Sequence, residues 1–292
     1  MKKFGLFIFI ILSLSSCSSP HQHELKISTT IWIGYTPLFY AKEKGWLKNE
    51  NIKLINVVSL SENMYLYRSG NAHAYCGTQY EYSVLKDKIP GLMPIMLFDR
   101  SYGGDIIMSN QTIKSLQESN ASINTYLEMD SINITLLNDF IQRYNIDDKR
   151  IKYIDRDQVE ISQLINAEPE KQILIITYIP FDTILKKNGF DEILSTKNGL
   201  ELLVVDAMYT QKDEFNYHKE QFLALKKLTD KAIEALKKDP QEFYATIKPY
   251  MNNLSYEEFS EGLHDIQWIN TNRSKEFTER LHQASFPLKD LL

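Results

Sequence analysis

The segment from Asp99 to Asp105, DRSYGGD, carries the densest group of polar side chains in the chain. It places two carboxylates, a hydroxyl and a phenol beside two glycines, directly after an apolar run. Such groups bind hydroxyls, amines or an amidine-like ring through hydrogen bonds and charge. The alternative is a structural turn in which Asp99 caps the turn and pairs with Arg100. We take Asp99, Ser101 and Asp105 as candidate ligand-binding residues.

A second group of candidates lies in IWIGYTP, residues 31–37. Trp32 and Tyr35 each combine a flat apolar face with a polar tip, which suits the gripping of a small ligand. Gly34 would let the backbone approach a ligand closely. Thr36 would lie at a helix start, where free N–H groups favour an anionic or carbonyl-bearing group. The alternatives are core burial for the aromatics, an ordinary turn at Gly34 and a plain helix cap at Thr36.

Further candidates follow predicted strands or begin predicted helices. Tyr75 and Thr78 lie in HAYCGT, near the end of a predicted strand, beside Cys76, which we interpret as a buried small apolar residue. Ser131 begins a predicted helix, and Tyr178 lies where a strand gives way to a helix. These two would face the earlier candidates across a cleft, although Tyr178 could instead belong to a core.

Signatures of enzymes and metal sites are missing from the sequence. It has no nucleophile elbow, no P-loop, no histidine pair at metal spacing and no cysteine cluster. His21 and His23 could catch a metal only in a predicted tether. We therefore predict no catalytic residue, no metal site, no cofactor and no enzymatic activity. The 33 basic residues against 38 acidic ones imply no nucleic-acid partner.

The amino terminus has the pattern of an export signal. In residues 1–16 a basic start precedes an apolar run that is too short to span a bilayer. Leu14-Ser15-Ser16-Cys17 resembles the bacterial lipobox, in which the cysteine becomes the lipidated first residue. The alternative is an ordinary signal peptide with an incidental cysteine. We predict an exported protein with palmitate-type lipid on Cys17 and a tether over 17–24, anchored to a membrane and facing the periplasm or the cell exterior.

Strand-like and helix-like segments alternate over the first part of the chain, which predicts an α/β fold with a mainly parallel sheet. Thr36 and Ser61 are the expected N-caps of its first two helices. The segments are ELKIST, TPLFYAKEKGWL, NIKLINVV, SENMYLYRSG and HAYCG.

The alternation of strand-like and helix-like segments starts again after Asn110 and predicts a second α/β unit. A last strand-like segment, 201–210, would return the chain to the first α/β unit. Apolar residues at three- and four-residue steps then predict carboxy-terminal helices that cover a sheet. We assign 25–108 and 203–292 to lobe 1 and 109–202 to lobe 2. Two such lobes form a cleft at the carboxyl ends of their strands.

Three motifs in register carry a family resemblance: WIGYTPLFYAKEKGWL, RSGNAHAY and FDRSYGGDIIMSN. They resemble the solute-binding lipoproteins of nitrate/sulfonate/taurine-type ABC importers, within the thiamine-pyrimidine-synthase-like superfamily. The resemblance implies a type II periplasmic binding protein, with two α/β lobes around a ligand cleft and a helical carboxy-terminal extension on lobe 1.

The resemblance also implies capture of a small polar molecule, a sulfonate, a nitrate-like anion or a pyrimidine or vitamin precursor, and its delivery to an ABC permease by a monomeric binder. The alternative is a sensor that presents the solute to a membrane receptor or kinase. The superfamily's enzymes work inside cells, in another compartment. The acids Asp99 and Asp105 do not favour a bare anion unless Arg100 or helix N-termini offset their charge.

Overall fold

The computed structural model describes residues 23–200, 202–271 and 273–292. The predicted signal peptide 1–16, the predicted lipidation site Cys17 and the predicted tether up to residue 22 lie outside the described residues. In the part of the chain that is described, no helix is both long and apolar enough to cross a membrane.

The chain first builds most of one α/β sheet. Short apolar runs rich in β-branched residues form the strands, and capped segments between them form the helices. The elements are β1 (Leu25–Thr29), α1 (Thr36–Glu43), α2 (Trp46–Asn49), β2 (Ile52–Asn56), α3 (Leu60–Arg68), β3 (Ala74–Thr78), α4 (Gln79–Leu85) and β4 (Leu92–Ser101), with a 3₁₀ turn at Ile33–Tyr35.

A second sheet follows. Its elements are β5 (Asp105–Ser109), α5 (Ile113–Glu118), β6 (Ile123–Leu127), α6 (Ile132–Tyr144), β7 (Ile151–Asp155), α7 (Gln158–Ser162), β8 (Gln172–Tyr178), α8 (Asp182–Lys187) and β9 (Asp191–Ser195), with a 3₁₀ turn at Asp148–Arg150.

The chain then returns to the first sheet and ends in helices. The elements are β10 (Val205–Gln211), α9 (Lys212–Tyr217), α10 (Lys219–Lys238), α11 (Pro240–Ile247), α12 (Tyr256–Gly262), β11 (Ile266–Trp268) and α13 (Lys275–Gln283), with 3₁₀ turns at Lys248–Tyr250 and Leu263–Asp265.

The first sheet has the strand order β11-β4-β10-β3-β1-β2. Strand β10 lies between β3 and β4 and is antiparallel to both, and β11 is antiparallel to β4. The prediction of a mainly parallel sheet therefore holds for β1 to β3 but misses the reversed strands. The reason is topological, because the chain leaves the sheet after β4 and re-enters it from the other lobe.

The second sheet has the order β7-β6-β8-β5-β9, with β5 antiparallel to both of its neighbours. Since β5 pairs within this sheet, the first crossing between the sheets lies at 102–104. The expected boundary at 108 placed most of β5 in lobe 1. Because β5 belongs to the second sheet, the boundary instead lies before β5, nearer the amino terminus. The second crossing lies between β9 and β10, and the expected boundary at 202 stays a prediction.

The carboxy-terminal helices pack on lobe 1, as predicted. Phe222 and Leu225 of α10, Phe243 of α11 and Phe259 of α12 are buried in the same core as Phe39 of α1. Their aromatic rings stack in part, as between Tyr40 and Phe243 at a centroid distance of 4.4 Å. Helices α10 to α12 therefore cover one face of the first sheet, while α13 packs in a separate core with Tyr75 and Tyr209 on the other face.

Two predicted helix caps are wrong. The α3 helix is capped by Ser59, whose extended backbone lets Oγ accept a hydrogen bond from the N–H of Glu62 at 3.1 Å, so Ser61 lies inside the helix. The α1 helix continues directly from the 3₁₀ turn, and its N-cap is Tyr35. The hydroxyl of Thr36 instead donates to the carbonyl of Ile33 at 2.6 Å.

Candidate ligand-binding site

A cavity lies between the two lobes where strand ends meet. Strands β1, β3 and β4 end at one edge of the first sheet, and the reversed strand β10 begins there. In the second sheet, β6 and β8 end where β5 begins. The free space in the cavity is small, with room for about one water molecule. The lining residues are Thr30, Trp32, Tyr35, Leu60, Thr78 and Asp206 from lobe 1, and Asp105, Ile132 and Tyr178 from lobe 2.

Trp32 lines the cavity and is held there by Asp99. Its indole Nε1 lies 3.2 and 3.4 Å from the two carboxylate oxygens of Asp99, which is fully buried. The indole meets the ring of Tyr178 edge to face at 5.9 Å, so Trp32 joins the two lobes. Asp99 itself is not among the lining residues, and its role is to orient the indole.

The side chains of Asp99 and Trp32 fill the space beside Gly34. A Cβ atom there would lie 1.8 Å from Oδ2 of Asp99 and 2.5 Å from Nε1 of Trp32. The close approach predicted at Gly34 is therefore made by the Asp99 carboxylate. Any larger residue would displace the pair that shapes the cavity wall.

Tyr35 and Asp206 form a second buried pair. The phenol of Tyr35 donates to Oδ1 of Asp206, and both residues line the cavity. Asp206 is paired in register with Thr78 on one side and with Asp99 on the other. Burial, reinforced by the neighbouring charge of Asp99, raises the pKa of the Asp206 carboxyl well above its usual value.

Asp105 enters the cavity from the crossing between the lobes. Its backbone N–H donates to Oγ of Ser101 at 2.9 Å, and Ser101 lies 2.8 Å from the hydroxyl of Thr196 in the second crossing. The Oδ2 atom of Asp105 is buried and has no hydrogen-bond partner among the described residues. Burial raises the pKa of this carboxyl to about 7. Ser101 thus orders the crossing, while Asp105 faces the cavity.

Two further buried carboxylates reach across the cleft. Glu81 of lobe 1 accepts a hydrogen bond at 3.0 Å from the N–H of Ile132, at the start of α6 in lobe 2. Glu128 of lobe 2 accepts one at 3.1 Å from the N–H of Leu60, at the start of α3 in lobe 1. Each lobe therefore caps a helix of the other.

The pKa values of these carboxyls are raised because burial favours their neutral forms, to about 8 for Glu128. Sequence reasoning missed both residues. A capping-box pattern, Thr78-x-x-Glu81, was the available signal for Glu81, and the structure contains that capping box.

Thr78, Ser131 and Tyr178 flank these contacts. Thr78 caps α4 and lines the cavity. Ser131 caps α6 and donates to the carbonyl of Glu128 at 2.8 Å, so it shapes the helix start without lining the cavity. Tyr178 lines the cavity and its phenol lies 3.5 Å from a Glu128 oxygen.

Thr36 and Tyr75 lie away from the cavity. Thr36 is fully buried in α1. Tyr75 is fully buried in another core, where it stacks on Tyr209 at 5.1 Å and packs against Tyr67 at 4.9 Å. Cys76 is buried with its thiol pKa raised by burial, which agrees with the expected small core residue.

The site has no basic side chain to offset its acids. Arg100 points elsewhere, with its guanidinium over the rings of Tyr102 at 5.1 Å and Phe277 at 5.7 Å. Among the described residues that line the cavity, none is a lysine, arginine or histidine. The arrangement therefore presents hydrogen-bond acceptors, negative charge and aromatic surface.

A possible metal cluster lies at the opposite end of β3. His73, Glu214 and His218 bring ligand atoms within 4.8 Å of one another. However, Nδ1 of His73 accepts the backbone N–H of Lys26 at 3.0 Å, so the neutral ring carries its proton on Nε2. Neither ring nitrogen of His73 is then free for a metal ion.

No protein-family profile and no curated protein matches the chain. Solved structures do match its fold. One is the ligand-binding component of an ABC-type import system from Staphylococcus aureus with zinc bound, with 13% identity over 90% of this chain and 92% of that one and a TM-score of 0.70.

Another is the periplasmic aliphatic sulphonate binding protein SsuA from Escherichia coli, with 10% identity over 90% of each chain and a TM-score of 0.68. A third is a Candida albicans protein described as exhibiting the generic periplasmic binding protein fold, with 9% identity over 92% of this chain and 95% of that one and a TM-score of 0.66. With two mixed α/β sheets around a cleft, the chain has the periplasmic binding protein fold.

Proposed function

We propose that this protein is an extracytoplasmic solute-binding protein that captures a small polar molecule between its lobes and delivers it to an ABC importer. The observation that carries the proposal is the cavity at the strand ends, to which both lobes contribute lining residues. Two of the structural neighbours described above are named as components that bind solutes for import or in the periplasm. The cavity has room for only about one water molecule in this arrangement, so the lobes must separate to admit a solute.

The contacts across the cleft support a binder that opens and closes. Opening the lobes would break the hydrogen bonds from Ile132 to Glu81 and from Leu60 to Glu128. The crossing segments, joined through Ser101 and Thr196, would act as the hinge. A ligand that contacts both lobes would add to these bonds and favour the closed form. Such a role is binding and transfer, with no bond made or broken in the solute.

The export and anchoring part of the proposal rests on the amino-terminal sequence. A signal peptide over 1–16 and lipid on Cys17 would hold a monomeric binder at the membrane surface, close to its permease. We expect Cys17→Ser to move the protein from the membrane fraction to the soluble extracytoplasmic fraction. Unchanged membrane fractionation of this variant would contradict the lipid anchor.

Genetic disruption tests the transport role. Cells that lack the protein should lose uptake of the solute that the purified protein binds, and the wild-type gene should restore it. A Gly34→Leu gene should fail to restore uptake, because its side chain would collide with Asp99 and Trp32. If uptake persists and only a transcriptional response to the solute is lost, the protein is a sensor instead.

A further inference from the structure

In the described part of the chain, one carboxylate of the cavity has an oxygen without a hydrogen-bond partner. Asp105 is only 3% exposed, and its Oδ2 has no hydrogen-bond partner among the described residues. Ser101 forms a side-chain hydrogen bond with this carboxyl, but the buried Oδ2 has neither a donor nor a counter-ion. Such an oxygen is costly, so a partner that enters with the solute would be favoured. Asp206 lines the same cavity, and its Oδ1 already accepts the Tyr35 hydroxyl. The lining thus contains two acids and, within the described chain, no base.

The usual anchors for an anion are already occupied. Helix N-termini bind anions through free backbone N–H groups. Here the N–H of Leu60 in α3 is bonded to Glu128, and the N–H of Ile132 in α6 is bonded to Glu81. To bind at either of these two N–H groups, a sulfonate or nitrate would have to displace a carboxylate of the protein, and it would meet the field of the remaining acids.

Aromatic surface completes the lining. Trp32 and Tyr178 meet edge to face at 5.9 Å, and Tyr35 forms part of the same wall. The faces of such rings attract cations when water is excluded. An acid, aromatic rings and the lack of a base together favour a positively charged ligand.

We propose that the cleft binds a small organic cation, an ammonium compound or a protonated nitrogen heterocycle, with the Asp105 carboxylate as its counter-ion. This inference rests on the proposed solute-binding function. Sulfonates and nitrate are then excluded as solutes, and among the classes that the sequence resemblance implies, a protonatable pyrimidine fits.

Binding of the cation is linked to proton release. In the empty cleft Asp105 has a pKa near 7, because it is buried and faces the charge of Glu81. The other titratable groups around it are Asp99, Asp206, Glu128 and Tyr178. A bound cation stabilises the ionised carboxylate, so affinity falls as the pH drops below 7. The loss is about tenfold per pH unit for each carboxyl that must ionise.

A charge-matched set of compounds tests the assignment. Ethanolamine, ethylene glycol and isethionate share a two-carbon frame, and benzylamine, benzyl alcohol and benzenesulfonate share a phenyl ring. Each set contains a cation, a neutral molecule and an anion. At about pH 8 we expect a cation to raise the melting temperature of the purified full-length protein, since ligands stabilise by mass action. The neutral and anionic members should leave it unchanged.

The outcomes separate this inference from the proposed function. If only neutral or anionic members raise the melting temperature, the charge assignment is overturned and solute binding stands. If no member raises it and the gene disruption leaves uptake intact, both fail. If no member raises it and uptake still depends on the gene, the cation assignment alone is overturned.

Calorimetry with the best cation then tests Asp105. We expect Asp105→Asn to weaken binding at least about thirtyfold, the range for loss of one member of a buried charge pair. Asp182→Asn is the matched control, because Asp182 is also buried but pairs with Lys186 outside the cleft. Equal affinity of Asp105→Asn and wild type would overturn the role of Asp105. An affinity of the wild-type protein that is the same at about pH 8 and about pH 6 would also overturn the role of Asp105.

Discussion

The two ends of strand β3 carry polar clusters that differ in whether their polar atoms have partners. At the amino end, His73 Nδ1 accepts from Lys26, and His218 Nδ1 lies 2.6 Å from Gln221. At the carboxyl end, beside the cleft, Asp105 keeps a buried oxygen without a partner in the described chain. By residue type alone, both clusters resemble binding sites. Only the second has unused bonding capacity, which is what a ligand can use.

Among substitutions at the two ends of β3, Trp32→Ala should have the largest effect on stability and ligand binding. It removes the indole that contacts Tyr178 and leaves the buried Asp99 carboxylate without its donor. We expect a loss of about 3–5 kcal/mol in the free energy of unfolding, as for other large aromatic truncations, together with loss of ligand binding. Urea unfolding and calorimetry measure the two effects.

Trp46→Ala is the matched control for this experiment. Trp46 packs beside Tyr40 on the far side of lobe 1, with the amine of Lys231 over its ring at 3.7 Å. The control should cost stability and leave affinity unchanged. Loss of binding in Trp46→Ala as well would mean that binding responds to stability alone, and the special role of the cleft end would be lost.

Asp105→Asn should make the protein more stable at alkaline pH while it weakens ligand binding. The pKa of Asp105 is about 7 in the folded protein against an ordinary value of 3.8. The unfolded chain therefore ionises first as the pH rises from about 4 to 7. Over that window the folded state loses up to about 1.4 kcal/mol per pH unit from this group.

The amide of Asn does not titrate, so the stability difference between Asp105→Asn and wild type should grow from about pH 5 to about pH 8. Urea unfolding at both pH values measures it, with Asp182→Asn as control. At the other end of β3, burial lowers the pKa of His73. This group therefore makes the folded state less stable as the pH falls, the opposite direction to Asp105. A pH-independent difference for Asp105→Asn would mean that the carboxyl is solvated in the empty cleft.

The alternation of apolar runs and capped segments was enough to predict the strands and the lobed architecture. Trp32, Thr78, Asp105 and Tyr178 could be found because each lies at or next to the end of a strand, and the strand ends of each sheet meet at the cleft. Glu128 directly follows β6 and satisfies the same rule, although it was overlooked, whereas Asp206 could not be found in this way. Asp206 reaches the cleft only because β10 is inserted, reversed, between β3 and β4, and that pairing depends on contacts distant in sequence.

Tyr75 shows the opposite error. Its position near a strand end suggested the cleft, but its ring stacks on Tyr209, which lies directly opposite in β10. Residue spacing along a strand gives the alternation of faces but not which face meets the cavity. Which face of the strand meets the cavity depends on how helices cover the sheet, here the helices of the carboxy-terminal extension.

Glu128→Ala should have a smaller effect, confined to closure of the cleft. It leaves the N–H of Leu60 at the start of α3 without its acceptor, at a cost of about 1–3 kcal/mol to the closed form. Small-angle scattering should show a larger radius of gyration for the empty variant, and saturating ligand should restore the wild-type value. Glu279→Ala, on the exposed face of α13, is the control and should not change the radius. An unchanged radius in Glu128→Ala would mean that this contact does not hold the lobes together.

His73→Gln should have the smallest effect, because the amino-end cluster is already satisfied. Its substitution removes the acceptor for the Lys26 N–H, yet the glutamine carbonyl can replace it. We expect ligand affinity to stay within about twofold of wild type, since the cluster lies at the far end of β3 from the cleft. Zinc should change the melting temperatures of wild type and His73→Gln by the same amount, because neither nitrogen of the neutral His73 ring is free to coordinate. A zinc-dependent stabilisation that disappears in His73→Gln would show that the backbone hydrogen bond yields to the metal, and the contrast between the two ends of β3 would fail.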